Sequence, residues 1–371
     1  MVEGHSVHRL ASSFRAKLVG KKFSASSPNG RFVEGAAAID GRTLNRMEAV
    51  GKNLFAFFSN GNKKGDNMAS KEDDVVVHVH FGMSGVWAVY DSLMEEVPEV
   101  KPTTRLRLEE TNSTSSSKNY VTHLSAMTVA HGNHTLYTSK QSSRGQDPLR
   151  SDANPETLYA KISKSKRSIG SLLMDQSCFA GPGNIYRAKI LFLAGVYPTI
   201  LGNALGRASF DRIWDVSVKL LRRGYDTGSI LTVDGDVDPG LAARRERRYI
   251  YNKAKCARCG SEVSSWDMGG RTCYACEGGV CQPKTKAVIK GEASSKVAAN
   301  SKSKNVVKKA TRKNKKQVDK QEVSSAATKT KKKGLKKQKN EQPQQHVPFI
   351  SHCARIGHRQ RLEQGGQNAL P

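Results

Sequence analysis

The chain has 371 residues and a formal net charge of +28, from 61 Lys and Arg against 33 Asp and Glu. Only 37% of its residues are hydrophobic, against roughly 45–50% in typical globular domains, so we expect part of the chain to be unfolded. No run approaches the ~18 apolar residues of a membrane span, and the first residues lack a signal-peptide pattern. Membrane proteins and secreted disulfide scaffolds are excluded, and a soluble intracellular protein that binds nucleic acid is favoured.

The first predicted elements are a helix and then a series of strands. Residues 5–19 place apolar side chains at helical spacing, which predicts a helix near the N-terminus. Residues 31–140 contain short β-rich runs between turn residues, with polar surface loops at 59–74 and 109–118. We expect an antiparallel β-sandwich with one helix that ends near Asp147-Pro148. The predicted strands include Phe55–Phe58, Val75–Val79, Val86–Val89 and Leu106–Leu108.

From about Asn154 the apolar pattern becomes helical, and a Gly-Pro-Gly sequence interrupts it at residues 181–183. The predicted helices are Pro155–Lys166, Ile169–Cys178, Asn184–Leu193 and Ala208–Arg223. The fold class is therefore α+β. We expect four parts, namely a β-sandwich domain over 1–150, a helical domain over 151–250, a cysteine-rich hairpin over 251–283 and a basic tail over 284–371.

The tail carries a large share of the positive charge. Residues 284–340 contain 20 Lys and Arg and 3 acidic residues, with few aromatic residues, so we expect this segment to be disordered. A flexible basic segment binds DNA non-specifically and is also typical of nuclear-import signals. The tail favours a nuclear location, and the alternative is the bacterial cytoplasm or nucleoid.

Five of the seven cysteines fall within 26 residues, which indicates a metal site. An odd number of cysteines without a signal peptide argues against a disulfide framework, and zinc is the metal that such thiolate clusters bind. Cys256 and Cys259 form the first half of the site. The second half is either Cys273 with Cys276, after a gap of 13 residues, or Cys276 with Cys281, after a gap of 16.

The Gly-Pro-Gly turn is a candidate anion site. A glycine-rich turn that opens a helix presents free backbone N–H groups and the positive end of the helix dipole, both of which suit a phosphate. Asn184, directly after the turn, adds a side-chain donor. The plain alternative is a turn between two helices.

Six segments resemble the formamidopyrimidine-DNA glycosylase/endonuclease VIII family, and they occur in the family's order over residues 2–283. They are MVEGHSVHRLA at the N-terminus, GKNLF (51–55) as the lysine turn, HFGMSG (80–85) as the void-filling loop, GQDPL (145–149) at the domain junction, DQSCFAGPGNIYRA (175–188) as the helix–two-turn–helix segment, and GGRTCYAC with CQP (269–283) as the zinc hairpin. The N-terminal segment is more similar to the endonuclease VIII branch, which acts on pyrimidine lesions.

The resemblance implies a monomeric DNA glycosylase and AP lyase that acts on double-stranded DNA with a damaged base or an abasic site. The amine of Val2, exposed after removal of Met1, is the implied nucleophile at C1′. An α-amine has a pKa near ~7.7, against ~10.4 for lysine, so a useful fraction is unprotonated at neutral pH. Glu3 is the implied general acid and base, and Lys52 the implied ligand of the phosphate beside the lesion.

The resemblance also assigns DNA contacts and one structural Zn²⁺. Met83 is the implied wedge that fills the space left by the extruded base, and Arg271 is an implied phosphate contact. The 16-residue gap and the following Gln-Pro favour four zinc ligands, which are Cys256, Cys259, Cys276 and Cys281. His5 and His8 flank the implied site, and they either contact DNA or serve the structure.

The chain departs from the family pattern at three places. Val2 replaces the usual proline, Lys189 replaces a glutamate after Tyr-Arg-Ala, and the last two cysteines are separated by four residues instead of two. A reversed charge at residue 189 is expected to disturb the amine or the sugar. These departures leave open a second function, that of a non-catalytic protein that binds damaged or abasic DNA. A zinc-ribbon RNA-binding protein is a more distant alternative to the glycosylase.

Overall fold

The computed structural model describes residues 2–61, 74–111, 118–233, 235, 237–243 and 246–284. The predicted tail beyond Lys284 and most of the two predicted polar loops lie outside these residues.

Eight strands form one antiparallel sheet in the order β5-β7-β6-β1-β2-β3-β4-β8. The strands are β1 (Lys22–Ser26), β2 (Arg42–Val50), β3 (Asn53–Ser59), β4 (Val75–His80), β5 (Val86–Asp91), β6 (Leu106–Glu110), β7 (Tyr120–Ser125) and β8 (Thr128–Gly132). The four predicted strands are confirmed as parts of β3, β4, β5 and β6.

The sheet folds back on itself as a sandwich. Only residues 126 and 127 connect β7, which lies next to one edge, to β8 at the opposite edge. Two residues span less than about 11 Å even when fully extended, so the two edges must approach each other. The antiparallel sandwich predicted for this domain is confirmed.

Helix α1 (Gly4–Leu18) lies against this sheet, as its apolar spacing predicts. Its buried face includes Val7, Phe14 and Leu18, and Phe14 meets Trp87 of β5 edge-to-face at 5.3 Å between ring centroids. Each such side chain contributes roughly 1.5–3 kcal/mol when it leaves water. The helix is thereby fixed to the sheet, and its first residues are held at the sheet's end.

The prediction of a single helix in the first domain is wrong. Residues 33–39 form α2 (Val33–Ile39) and residues 134–142 form α3 (His134–Ser142). The first is rich in alanine, the best helix former, and the second begins at Asn133, whose side chain accepts a hydrogen bond from the Thr135 N–H. These local signals outweigh the β-rich surroundings.

The helical region contains α4 (Pro155–Ile162), α5 (Ile169–Leu172), α6 (Asn184–Leu193), α7 (Arg207–Thr227) and α8 (Pro239–Ala243). The second predicted helix is shorter than expected, because α5 ends at Leu172 and not at Cys178. Asp175 accepts the Ser177 N–H with its carboxylate at 2.9 Å, and this type of side-chain bond favours a turn over a helix. The bounds predicted for Asn184–Leu193 are confirmed.

A two-stranded hairpin follows the helices. It consists of β9 (Val263–Asp267) and β10 (Thr272–Cys276), paired antiparallel. A small apolar cluster joins α6 to this part of the chain, and in it Phe192 stacks on Tyr249 at 4.8 Å. Among the described residues, no helix has the length and apolar character needed to span a bilayer.

Candidate active site

Three distant segments meet at the N-terminus of α1. They are the first residues of α1, the turn between β2 and β3, and the Gly-Pro-Gly turn before α6. Gly4 donates its N–H to the Gly181 carbonyl at 3.0 Å, and a Cβ at Gly51 would lie 3.0 Å from the Cβ of Ala180. The backbones approach so closely that glycine is required at these positions.

Glu3 lies at the centre of this junction and is 0% exposed. Its carboxylate pairs with the Lys52 ammonium, with 3.1 Å between Oε2 and Nζ. A Cβ at Gly183 would collide with both carboxylate oxygens. The last glycine of the Gly-Pro-Gly turn therefore provides the space that the Glu3 side chain occupies.

Burial raises the pKa of Glu3, because removal from water penalises the charged carboxylate. The positive charges of Lys52 and Arg271 oppose this shift. A carboxyl group with a raised pKa holds a proton closer to neutral pH, which suits a group that donates and accepts protons.

Asp147 fastens the junction together, although sequence reasoning assigned it no function beyond its place in GQDPL. Its Oδ2 binds His8 Nε2 and accepts the Gly51 N–H, each at 2.7 Å, and its Oδ1 accepts the Leu149 N–H at 3.0 Å. One buried carboxylate thus connects α1, the lysine turn and the start of the helical region.

Gln176 holds the Gly-Pro-Gly turn in its conformation. Its Oε1 accepts the Gly181 N–H at 3.0 Å, and its Nε2 donates to the Pro182 carbonyl at 3.0 Å. Gly181 has a φ of +112°, a value that side chains rarely tolerate. The turn is therefore fixed before α6 begins.

Asn184 and Arg187 attach the hairpin to α6. Asn184 Nδ2 donates to the Thr272 carbonyl at 3.0 Å, and the buried Arg187 donates to the carbonyls of Thr272 and Arg271 at 3.0 and 3.1 Å. The Asn184 amide, predicted as a phosphate donor, thus has a protein partner here. Arg271 is exposed at the hairpin turn, and its charge acts on Glu3.

His5 and His8 both have partners within the protein. His5 is buried and its Nδ1 binds the Tyr186 hydroxyl at 3.0 Å, while His8 binds Asp147. Burial lowers the pKa of His5 to about 4, so this ring is neutral at physiological pH. Of the two alternatives left open by the sequence, these contacts favour the structural one.

Two exposed methionines line one cleft at the HFGMSG loop. Met83 is 64% exposed and Met127 is 61% exposed. Met127 packs against Gly82, since a Cβ added at Gly82 would lie 2.9 Å from the Met127 Cβ. They line an open cleft of about 610 Å³ together with Arg31 and Arg105. The sequence singled out Met83 but gave no signal for Met127.

His80, at the start of the same loop, also has a role that the sequence did not indicate. Burial lowers its pKa, and the positive charges of Lys52 and Arg144 add to the effect. The neutral ring accepts the Gly82 N–H at 3.3 Å with Nδ1. The neutral His80 ring therefore lies near two positive side chains, those of Lys52 and Arg144.

Lys189 lies in a different setting from the one expected. It is fully buried, and its ammonium donates to the Thr232 hydroxyl and to the Arg247 carbonyl, the latter at 3.0 Å. Burial lowers its pKa to about 7, helped by the charges of Arg248 and Arg247. The contacts of its ammonium are thus with the segment that contains Thr232 and Arg247, whereas the charges of Lys52 and Arg271 act on Glu3.

Four cysteine sulfurs converge beside the hairpin, all within 4.8 Å of one another. They belong to Cys256, Cys259, Cys276 and Cys281. Cys273 lies on β10 outside this group, where its buried thiol is close to the charge of Arg187. The four sulfurs are a donor set suited to a tetrahedral metal ion. The second half of the site is therefore Cys276 with Cys281, after the gap of 16 residues, and not Cys273 with Cys276.

Comparison with known proteins places the chain in a family. A family model described as the formamidopyrimidine-DNA glycosylase N-terminal domain matches residues 1–123, and one described as the formamidopyrimidine-DNA glycosylase H2TH domain matches residues 144–234. Endonuclease 8 1 of Mycobacterium tuberculosis (strain H37Rv) is 35% identical over 289 residues, which cover 76% of this chain and 100% of that protein. Formamidopyrimidine-DNA glycosylase of Exiguobacterium sp. is 30% identical over 202 residues, or 53% of this chain and 72% of that protein.

A solved complex of the Lactococcus lactis Fpg with DNA that contains an abasic site has the same fold. Its TM-score is 0.58 at 22% sequence identity, and the match covers 76% of this chain and all of that one. The chain is a DNA glycosylase of base excision repair. It belongs to the formamidopyrimidine-DNA glycosylase/endonuclease VIII family.

Proposed function

We propose that the protein is a bifunctional DNA glycosylase and AP lyase that removes oxidised bases through a Schiff base on the Val2 amine. The observation that carries this proposal is the ion pair between the buried Glu3 and the partly buried Lys52, directly beside residue 2. A carboxylate taken out of water is costly to keep, and an ion pair that contains one is weak evidence for stability alone. Its position, one residue from an N-terminal amine, suits proton transfer at a sugar.

The amine of Val2 attacks C1′ after removal of Met1. The bond between C1′ and the base breaks, the base leaves with a proton, and the sugar ring opens to give an imine between C1′ and the amine. Loss of a proton from C2′ then expels the 3′ phosphate, and water hydrolyses the imine to release the enzyme. A primary amine suffices for this sequence, so valine in place of proline is compatible with it.

Glu3 gives a proton to the sugar oxygen as the ring opens and takes protons in the later steps. Its raised pKa supports this role, because the group exchanges its proton nearer to neutral pH. Lys52 fixes the carboxylate and faces the phosphate next to the lesion. Arg144, whose charge acts on His80 together with that of Lys52, extends the positive surface along the strand.

The substrate is double-stranded DNA with a damaged base or an abasic site, bound by a monomer. The exposed Met83 enters the space left by the extruded nucleotide, since a flexible apolar side chain replaces lost base stacking. Arg271 binds a phosphate from the hairpin turn. Asn184 at the start of α6 adds the helix N-terminus as a further phosphate contact.

A single structural Zn²⁺ is held by Cys256, Cys259, Cys276 and Cys281. The geometry of the four sulfurs supports a closed tetrahedral site, which has no open position for catalysis. The ion would stabilise the hairpin that carries Arg271. The buried Arg187 connects the same hairpin to α6. The hairpin beside the metal site is therefore attached to the helix that begins at the junction around Glu3.

A strand-cleavage assay with a Glu3→Gln variant tests the proposal. Duplexes that contain an oxidised pyrimidine are incubated with excess enzyme, and base release and strand cleavage are followed in single turnover. Loss of a general acid and base is expected to slow base release by about 10²–10⁴-fold. Exposed Glu34 gives the control, Glu34→Gln, which should leave both rates unchanged. A wild-type protein that binds the lesion tightly without cleaving would instead identify a damage-binding protein.

A further inference from the structure

A polar cleft opens on the side of α1 that faces away from the HFGMSG loop. It has a volume of about 490 Å³ and lies between α1, β2, the segment after GQDPL and α7. Its charged lining residues are four arginines and two carboxylates, namely Arg15, Arg46, Arg150, Arg222, Glu48 and Asp152. This arginine cleft therefore contains two more positive than negative side chains.

The arginine cleft is separate from the surface beside the residue-2 amine. Val2 and Ser6 line a small pocket together with Phe81 of the HFGMSG loop. Arg15 follows Ser6 by nine residues, which is two and a half turns of an α-helix, so the two side chains project from opposite sides of α1. The arginines of the cleft are thus not among the groups that the proposed function uses to hold DNA.

Two of the four guanidinium groups already have carboxylate partners. Arg150 pairs with Asp152 through Nε and Nη2, each 2.7 Å from one carboxylate oxygen. Arg46 pairs with Glu48 and stacks on Phe57, with 3.7 Å between the guanidinium carbon and the ring centroid. Both carboxylates of the cleft are therefore engaged by these two arginines.

Arg15 and Arg222 are held in place without an acidic partner. Arg15 donates its Nε–H to the Met47 carbonyl at 2.7 Å, which leaves its two terminal nitrogens for other acceptors. The Arg222 guanidinium lies 5.6 Å from the centre of the Tyr225 ring, within the range of a cation–π contact. In the part of the chain that the structure describes, neither arginine forms an ion pair. Two ordered positive charges thus face one cleft, one from α1 and one from α7.

We infer that the arginine cleft is a second anion site, and that it binds a short polyphosphate such as the triphosphate of a nucleotide. Guanidinium groups present pairs of N–H donors in the geometry that matches phosphate oxygens. Two arginines without acidic partners require a ligand with several negative charges, and linked phosphates place such charges along one short molecule. The volume of about 490 Å³ is within the ~300–1,000 Å³ of small-molecule sites, which suits this ligand and not a DNA duplex.

Isothermal titration of the full-length protein with tripolyphosphate, at about 0.15 M salt to limit long-range attraction, tests the inference. We expect Arg15→Gln and Arg222→Gln each to lower the affinity at least about tenfold, because each removes a charge-assisted hydrogen bond. Both variants are first shown to be folded by circular dichroism. The basic tail is present in every protein, so its contribution is the same in all titrations.

Two controls remove a positive charge elsewhere. Lys17 is exposed on α1 but lies two residues, and hence about 200°, from Arg15. Arg271 is exposed at the hairpin turn, where the proposed function places a DNA phosphate. Lys17→Gln and Arg271→Gln should both bind tripolyphosphate as the wild type does.

A titration with ATP distinguishes two sources of the ligand. Tighter binding of ATP than of tripolyphosphate identifies a nucleotide, whereas equal or weaker binding identifies an inorganic polyphosphate chain. The inference is overturned if the wild type binds neither, or if Arg15→Gln and Arg222→Gln bind as the wild type does, because the tail would then account for the signal. Loss of binding in Arg271→Gln would also overturn it, since the anion would then lie on the DNA-binding surface.

Discussion

Glu3 shows how much of this site depends on the surroundings of one side chain. A carboxylate at the start of a helix is ordinarily solvated, and here it is fully buried against Lys52 in the space left by Gly183. Burial and the neighbouring positive charges shift the pKa of Glu3 in opposite directions, and burial is the larger effect. The net effect raises the pKa of Glu3, which moves its proton exchange in the direction that acid–base catalysis at neutral pH requires.

Lys189 gives a pH-dependent prediction at the residue scale. Its pKa falls from the usual 10.5 to about 7 in the folded protein. Above pH 10.5 the amine is neutral in the folded and the unfolded chain, so its burial carries no charge penalty. As the pH falls from 10.5 to 7, the unfolded chain gains the proton first, and the folded protein loses stability. Each pKa unit corresponds to about 1.4 kcal/mol, so the whole effect is on the order of 5 kcal/mol. Lys189→Met removes the buried charge, while Thr232 still donates to the Arg247 carbonyl.

We therefore expect Lys189→Met to unfold at higher denaturant concentration than the wild type at pH 7, with a difference that shrinks towards pH 10.5. Equilibrium denaturation over this pH range measures the difference. The exposed Lys166 provides a control, since Lys166→Met should show no such trend. A variant that is less stable than the wild type at pH 7 would show that the ammonium, and not its burial, is the favourable feature.

At the scale of elements, the Gly-Pro-Gly turn is predicted to control the position of Glu3. Gly183→Ala places a methyl group where the carboxylate lies, and a displacement of about 1 Å at a catalytic group can reduce the rate 10²-fold. We expect base release and abasic-site cleavage to fall by at least that factor. Single-turnover assays measure both rates.

Gly240→Ala is the control for this prediction, because nothing lies within 4 Å of a Cβ at Gly240 in α8. Its rates should match those of the wild type. Wild-type rates in Gly183→Ala would mean that the Glu3 carboxylate does not act from its position at this turn.

The hairpin gives a second prediction at this scale. Cys281→Ser removes one of the four converging sulfurs and is expected to abolish stoichiometric zinc binding, whereas Cys273→Ser leaves the cluster intact. Zinc content by atomic absorption measures the outcome in the purified proteins. Zinc that persists in Cys281→Ser and disappears in Cys273→Ser would assign the site to the two closely spaced cysteine pairs instead.

The sequence predicted those elements whose signals are local. The apolar spacing of α1, the β-rich runs of β3 and β4, and the glycine turn before α6 each lie within a few residues, and the structure has all of them. The role of Asp147 was not predictable in this way. It connects groups that are 96 and 139 residues away in the chain, and no local pattern reveals such a contact.

The same reason explains the other omissions. Lys52 was expected to face a phosphate, but its ion pair with Glu3 depends on how the β2–β3 turn packs against α1. Met127 and His80 gain their positions through strand pairing, because His80 lies opposite Asn53 in the β3–β4 pair and opposite Thr128, the neighbour of Met127, in the β4–β8 pair. The family resemblance identified the segments of the site, and the structure adds how they are held together.

At the scale of the whole molecule, the positive charge has two expected uses. The folded part holds basic side chains around one buried carboxylate, and residues 284–340 carry 20 Lys and Arg against 3 acidic residues. The relatives named above are bacterial, so they give no support to the nuclear location predicted from the tail. The tail's expected contribution to DNA affinity does not depend on that location.

Truncation after Pro283 tests this contribution. Each phosphate contact adds roughly 0.9 to the slope of log affinity against log salt concentration. We expect the truncated protein to cleave short duplexes at the wild-type rate and to bind DNA with a markedly smaller salt dependence. Fluorescence anisotropy at several salt concentrations measures the slope. An unchanged slope would show that the tail makes no contact with DNA.

Chemical trapping of the Schiff base tests the central claim most directly. The protein is incubated with an abasic-site duplex in the presence of borohydride, and the covalent adduct is digested and located by peptide mass spectrometry. We predict a stable adduct on the α-amine of Val2, formed by the chain that has lost Met1. An adduct on a lysine such as Lys52, or tight binding without any adduct, would contradict the account.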